Sequence, residues 1–141
     1  MTTVDARTGL EWIGRDECLR LLAAEVVGRL AVLHGNAPAI FPVNYVLDGD
    51  AIVFRTDEGS KLDAAERAPA CFEIDEIHRE TRAGWSVVAS GRLEEVTEYD
   101  TRTWQRIHEL AVEPWAGGVK AHWMRLVPER ITGRRVGSPR S

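Results

Sequence analysis

The chain has 141 residues, of which 44% are hydrophobic and 28% are charged. That length and composition are those of one ordinary globular domain, so a wholly disordered chain and a multidomain protein are both disfavoured. The formal net charge of −4 argues against a general nucleic-acid-binding protein, whose surface would be basic.

The chain carries no apolar run long enough for a signal peptide or a membrane span. Cys18 and Cys71 do not have the spacing of a zinc site, and the four histidines form no metal set. We expect both cysteines to be small buried residues of a reduced protein. The sequence therefore predicts a cytoplasmic protein with no metal and no contact with a membrane.

The first half of the chain predicts a leader, a helix and three strands. Residues 1–12 show no period and are predicted to form a flexible leader. Apolar residues recur at helical spacing over residues 16–25, and Gly28 ends that pattern. The three predicted strands span residues 29–34, 39–47 and 51–56. The turns between them are Gly35-Asn36 and Asp48-Gly49-Asp50, and Asp-Gly is a strong hairpin signal.

The second half predicts further strands and two more helices. The predicted helices span residues 62–67 and 99–110. The predicted strands span residues 70–75, 85–96, 122–127 and 131–136, the last two on either side of Pro128. Short antiparallel strands need closure because open edges promote aggregation, so we expect a small barrel with peripheral helices. This domain is predicted to span residues 13–136, followed by a tail over residues 137–141.

A polar segment after the third strand contains the groups that bind a phosphate. Arg55 and Thr56 end the strand, and Ser60 and Lys61 begin the next predicted helix. Two cations, two hydroxyls and the unpaired N–H groups of a helix start would converge there, and Gly59 permits close approach of the backbone. The same residue types are common in ordinary turns, so this segment alone predicts either a phosphate site or a polar strand-to-helix turn.

The order of the segments resembles the pyridoxamine 5′-phosphate oxidase-like, FMN-binding split barrel family, especially its short single-domain members. A predicted helix precedes GRLAVLHGNAPAIFPVNYVLDGDAIVFRTDEGSKLDAA, and WSVVASGRLEEVTE and HWMRLVPERITGRRV follow. The resemblance covers residues 16–136. It implies a mainly β fold, a six-stranded antiparallel split β-barrel with peripheral helices. It also implies a homodimer with the cofactor between the two subunits.

The resemblance also implies where the cofactor binds. The residues that would hold the phosphate of FMN are Arg55, Thr56, Ser60 and Lys61. The strand residues that would face the isoalloxazine ring are Pro42, Val43 and Asn44, although Pro42 also suits a plain edge-strand position. Trp85 and Trp123 are candidates for stacking on a ring system at the subunit interface, with packing in the core as the alternative.

These implications lead to an FMN-dependent oxidoreductase that acts on a small organic substrate. Two alternatives stay open: a reductase that uses the deazaflavin F420, and a non-catalytic carrier of a flavin or haem. No catalytic residue is evident, which suits chemistry that a cofactor performs. The chain is shorter than the biosynthetic oxidase and lacks a recognisable substrate-phosphate signature, so pyridoxamine phosphate is not the predicted substrate.

Overall fold

The structure is a computed structural model that describes residues 3–57, 68–110, 112–116 and 122–137. Two helices lie in this part of the chain, α1 (Arg15–Ala24) and α2 (Thr101–His108). The strands are β1 (Thr3–Val4), β2 (Glu11–Ile13), β3 (Val27–His34), β4 (Ala37–Asn44), β5 (Val46–Asp48), β6 (Ala51–Thr56), β7 (Pro69–His78), β8 (Ala83–Val96) and β9 (His122–Val136). Neither helix is long and apolar enough to cross a membrane.

All of these strands pair antiparallel in one curled sheet. The main order is β1-β2-β9-β8-β7-β3-β4, and the β5–β6 hairpin joins it through pairing of β6 with β9. Strand β9 therefore pairs with β2, β6 and β8. The expectation of a mainly β, antiparallel split barrel with peripheral helices is confirmed, with nine strands in the described chain where the family resemblance implied six.

Two tight turns fix the register of the hairpins that the sequence predicted. Gly35 and Gly49 both have a φ of +65°, a conformation that glycine adopts without strain. The first turn pairs β3 with β4, and the second pairs Val46 of β5 with Val53 of β6. The Asp-Gly signal thus marks a real two-residue hairpin loop.

The main core fills the interior of the half-barrel. Its large fully buried residues come from several strands and from α1, namely Leu22, Leu30, Ile52, Phe54, Phe72, Ile74, Leu93 and Leu126. A second, smaller cluster lies on the opposite side of β6 and comprises Val53, Val96, Ile107, Val112 and Trp123. Because side chains alternate along a strand, Val53 points away from the interior that Phe54 occupies. Helix α2 covers this outer cluster through Ile107.

Strand β9 is continuous through Pro128, whereas the sequence predicted two separate pieces. Gly91 of β8 pairs with Pro128 and Ser90 pairs with Arg130, which leaves Glu129 as the extra residue of a β-bulge. A bulge accommodates a proline without ending the strand. The extra residue of the bulge also reverses the alternation of side chains along β9. The strand therefore contributes side chains to the core on both sides of the bulge.

Two further expectations need correction. Part of the predicted leader is paired, since Trp12 of β2 lies opposite Arg134 of β9. Pairing covers the edge that the C-terminal half of β9 would otherwise expose. Cys18 is fully buried as predicted, but Cys71 is exposed on the outer face of β7. The helix predicted over residues 62–67 lies outside the described residues.

Candidate functional site

Arg55 lies near the end of β6 on the outer face of the barrel, beside Trp123. The two residues are partners in the β6–β9 register, and the guanidinium carbon of Arg55 is 4.9 Å from the centroid of the Trp123 ring. The buried Trp123 ring also packs against His108 of α2, with the centroids 4.6 Å apart. A guanidinium over an indole is attracted by the ring quadrupole. This contact places the positive charge of Arg55 on the apolar ring of Trp123.

Thr56, the next residue, points to the opposite face and into the end of the barrel. It is 7% exposed, and its Oγ1 is buried without a hydrogen-bond partner in the described chain. Burying a hydroxyl unpaired costs about 1–3 kcal/mol, so this group marks a place where a further polar partner fits. Because Arg55 and Thr56 face opposite sides of β6, an anion that contacts both must lie beyond the end of the strand.

A histidine–carboxylate pair lies beside Thr56. His122 is the register partner of Thr56, and its Nδ1 is 2.8 Å from Oε2 of Glu95 on β8. The sequence does not reveal this pair because the two residues are distant along the chain. Only the pairing of β8 with β9 brings them together, so no local pattern could have revealed them.

The strand end that contains Pro42, Val43 and Asn44 pairs with β3. Val43 packs against the main core, whereas Pro42 is exposed and has no N–H to donate. Asn44 uses both ends of its amide within the protein: Nδ2 donates to the Val26 carbonyl at 3.4 Å, and Oδ1 accepts from the backbone N–H of Trp115 at 2.8 Å. The Asn44 side chain therefore holds the segment that follows α2.

The β5–β6 hairpin brings this strand end to Arg55. Val46 lies opposite Val53, so Asn44, two residues before Val46, and Arg55, two residues after Val53, lie toward the same end of the hairpin. Strands β4 and β6 are also in contact. Arg55, Thr56, Asn44 and Trp123 thus meet at one corner of the barrel, which we call the β6 corner.

The other predicted site residues are Trp85, Ser60 and Lys61. Trp85 lies at the start of β8, and the far end of that strand pairs with Trp123. The two tryptophans are therefore on the order of 35 Å apart along an extended strand. Trp85 packs against the main core, the alternative that the sequence left open. Ser60 and Lys61 lie outside the described residues.

Helix α2 is attached over the outer cluster by an ion pair at the β5–β6 turn. Arg106 donates from Nε and from a terminal nitrogen to the Asp48 carboxylate at 2.7 and 2.8 Å, and Nε of Arg125 lies 3.4 Å from the same group. The hydrogen bonds from Arg106 lower the pKa of Asp48, although burial opposes this. Asp48 therefore stays ionised and keeps the helix seated on the outer cluster.

The β6 corner can bind an anion next to a planar apolar group. Arg55 supplies positive charge, Thr56 supplies a buried hydroxyl, and the buried ring of Trp123 packs against the guanidinium of Arg55. In the described part of the chain, no group of three or more His, Cys, Asp or Glu residues is placed to hold a metal ion. The arrangement suits a phosphorylated organic molecule with a flat ring system.

Known proteins similar to this chain include one sequence family and an individual relative. A sequence model of the pyridoxamine 5′-phosphate oxidase family matches residues 14–135. An uncharacterized protein of Mycobacterium tuberculosis is 31% identical over 131 residues, which cover 88% of this chain and 84% of the relative.

Two solved structures are similar over nearly their whole length. The FAD binding protein from Mycobacterium smegmatis is 35% identical with a TM-score of 0.69, over 89% of this chain and 98% of that one. A conserved protein of unknown function from Corynebacterium diphtheriae is 30% identical with a TM-score of 0.73, over 90% of this chain and 98% of that one. At these identities the similarity concerns family as well as fold.

Proposed function

This chain belongs to the pyridoxamine 5′-phosphate oxidase family, and on that basis we propose that it binds a flavin nucleotide at the β6 corner. The observation that carries the proposal is the buried, unpartnered hydroxyl of Thr56 directly after Arg55. A phosphate oxygen would satisfy that hydroxyl while the guanidinium balances its charge. The 35%-identical Mycobacterium smegmatis structure, an FAD binding protein, supports a flavin as the ligand.

FMN and FAD share the phosphate that follows the ring-bearing ribityl chain, and this is the group we assign to Arg55 and Thr56. The strand end at Pro42 and Val43 lies next to them and would line the ring. A bound flavin supplies electron transfer to or from a small organic substrate, while the protein supplies binding, orientation and electrostatics. The protein is thus proposed to be a flavin-dependent oxidoreductase.

The identity of the cofactor is tested on the purified protein. Denaturation releases any bound cofactor for chromatography and mass determination, and the apoprotein is then titrated with FMN, FAD and F420 by absorbance. We expect FMN or FAD to bind more tightly than F420. Tight binding of F420 with no binding of either flavin would show the deazaflavin alternative to be correct.

The phosphate assignment makes a specific mutational prediction. Arg55→Ala and Thr56→Val should each weaken FMN binding about 10–100-fold, since a hydrogen bond to a charged group contributes roughly 1.5–3 kcal/mol. Thr56→Val should leave the melting temperature equal or higher, because it removes an unpaired buried hydroxyl at nearly constant shape. Isothermal titration and thermal denaturation measure the two effects.

Arg134→Ala is the matched control for Arg55→Ala. Arg134 makes the same kind of contact, with its guanidinium carbon 5.8 Å from the centroid of the Trp12 ring, on the paired β2 and β9 ends away from the β6 corner. Its loss should leave flavin affinity unchanged. If Arg134→Ala weakens FMN binding as much as Arg55→Ala does, the effect is general electrostatics and the assignment to Arg55 is wrong.

Reactivity of the bound flavin separates an enzyme from a carrier. The flavin is reduced under anaerobic conditions, and its reoxidation is followed by absorbance after small organic acceptors are added. An oxidoreductase is expected to reoxidise much faster with a particular acceptor than with buffer alone. Equal rates with every acceptor would favour the carrier.

We also propose that the protein is a homodimer that uses the outer face of β3 and β4. Ile40 and Leu33 expose large apolar side chains on this face, at 68% and 53% of their surface. Ala31 lies opposite Ile40 on one side and Cys71 on the other, so small side chains continue the face across β7. An exposed apolar patch of this kind on a sheet face is typical of an interface between subunits.

A further inference from the structure

Trp115 presents an exposed indole on a fixed backbone. Trp115 is 74% exposed, and its backbone N–H donates to Oδ1 of Asn44 at 2.8 Å. Val112, earlier in the same segment, is buried in the outer cluster together with Trp123. The segment is therefore held at both points while the indole itself faces outward.

The position of this indole follows from its anchor. Asn44 ends β4, and β4 is in contact with β6, the strand that carries Arg55 near its end. The same amide donates to the carbonyl of Val26, whose side chain is also exposed. Trp115 and Val26 thus place apolar surface beside the β6 corner, adjacent to the proposed phosphate contacts.

We propose that the indole of Trp115 stacks on the planar ring system of the flavin, so that ring and phosphate are recognised by separate parts of the corner. This inference rests on the proposed flavin site. Aromatic rings associate through offset or edge contacts and need no polar partner from the ligand. Trp115 selects a flat heteroaromatic ring, and Asn44 is a positioning residue that holds the backbone of Trp115.

Riboflavin, which has the ring but no phosphate, tests the proposal together with FMN. Trp115→Ala should weaken binding of both ligands by the same factor, about tenfold. Arg55→Ala should weaken FMN but leave riboflavin unchanged. Trp115→Phe should retain most of the affinity because a phenyl ring still stacks. The readouts are ligand titration and quenching of tryptophan fluorescence, which Trp115→Phe should reduce.

Trp12→Ala serves as the matched control. Trp12 is also an exposed tryptophan, but it lies on β2 and packs beside Arg134. Its replacement should change neither the affinity for riboflavin nor the ligand-dependent part of the quenching.

A double-mutant cycle tests the role of Asn44. If Asn44 acts by placing Trp115, then Asn44→Ala weakens riboflavin binding, and the double variant with Trp115→Ala is no weaker than Trp115→Ala alone. Additive losses would show that Asn44 contacts the ligand itself, and the positioning role would be wrong.

The outcomes separate this inference from the proposed function. A parent protein that binds neither FMN nor riboflavin overturns both. If the parent binds FMN, and Trp115→Ala binds both FMN and riboflavin as tightly as the parent does, the stacking role is overturned and the flavin site stands. Sedimentation of each variant is the final check, since a loss of affinity that occurs only with dissociation of a dimer would assign Trp115 to the interface instead.

Discussion

Tyr45 shows how one side chain joins the sheet to a helix. Its buried ring meets Phe72 edge-on, with the centroids 4.7 Å apart, and its hydroxyl donates to the Leu22 carbonyl at 2.5 Å. That carbonyl belongs to α1, so the bond attaches the helix to the end of β4. Burial raises the pKa of Tyr45 well above its ordinary value. The hydroxyl therefore remains a donor throughout the neutral and moderately alkaline range.

Tyr45→Phe tests this attachment. The substitution keeps the ring contact but leaves the Leu22 carbonyl without its donor, so the free energy of unfolding should fall by about 1 kcal/mol. Urea denaturation at neutral pH measures the change. Tyr99→Phe is the control, because Tyr99 is 90% exposed and its replacement should have no measurable effect. Equal stability of the two variants would mean that the hydrogen bond to Leu22 contributes nothing.

At the scale of elements, Asp48 determines whether α2 stays on the outer cluster. The side chain of Asp48 is 8% exposed and accepts both hydrogen bonds from Arg106. Asp48→Asn should lower the free energy of unfolding by about 1–2 kcal/mol at neutral pH, since it removes a charged hydrogen-bond acceptor. Flavin affinity should also fall, because His108 of α2 packs against the ring of Trp123.

The effect of Asp48→Asn should depend on pH. Pairing lowers the pKa of Asp48 below its ordinary value of 3.8, so its contribution is fully present above that value. As the pH falls through the lowered pKa, the carboxylate is protonated and the parent is no longer more stable than the variant. Thermal denaturation of both proteins from pH 7 downward should show two stabilities that converge in acid. A constant difference at all pH values would contradict this account.

Asp50→Asn is the control from the same turn. Asp50 pairs with Arg15 at 2.7 Å, but both side chains are about half exposed. Exposed pairs contribute about 0–1 kcal/mol, so this variant should change stability much less than Asp48→Asn.

Elements with local signals could be predicted, and those defined by distant pairing could not. The Asp-Gly turn before β6 and the apolar spacing of α1 are readable within a few residues. The short β2 has no period of its own and becomes a strand only because β9 offers an unpaired edge. Pro128 indicates a break unless the bulge at Glu129 is known.

The same distinction applies to the site. Arg55, Thr56 and Asn44 were predicted and meet at one corner, because neighbouring strands of a hairpin meander keep them close. Trp85 was predicted by residue type and strand position, which do not show which end of the sheet a residue occupies. Trp115 and the His122–Glu95 pair were missed, since each depends on contacts between distant segments.

At the scale of the whole molecule, the proposed dimer predicts the effect of a charge on the β4 face. Ile40→Lys places a positive charge in the middle of the apolar outer face and should shift the protein from dimer to monomer. Analytical ultracentrifugation measures this. Flavin affinity should fall with dissociation if the partner subunit completes the site.

Val4→Lys is the matched control for the dimer. Val4 is also exposed and apolar, but it lies on β1, at the opposite edge of the sheet order from β4. It should leave the oligomeric state unchanged. A protein that sediments as a monomer before any substitution would disprove the dimer directly.

Strand β9 pairs with β2, β6 and β8, and it follows all three in the chain. During synthesis, these three strands leave the ribosome before the strand that completes their ladders. The nascent chain therefore carries several open strand edges at once, which are targets for aggregation. Binding of chaperones during translation should therefore be concentrated in the short interval before β9 emerges. An mRNA whose synonymous codons slow the ribosome just upstream of β9 should lower the soluble yield, although the amino-acid sequence is unchanged.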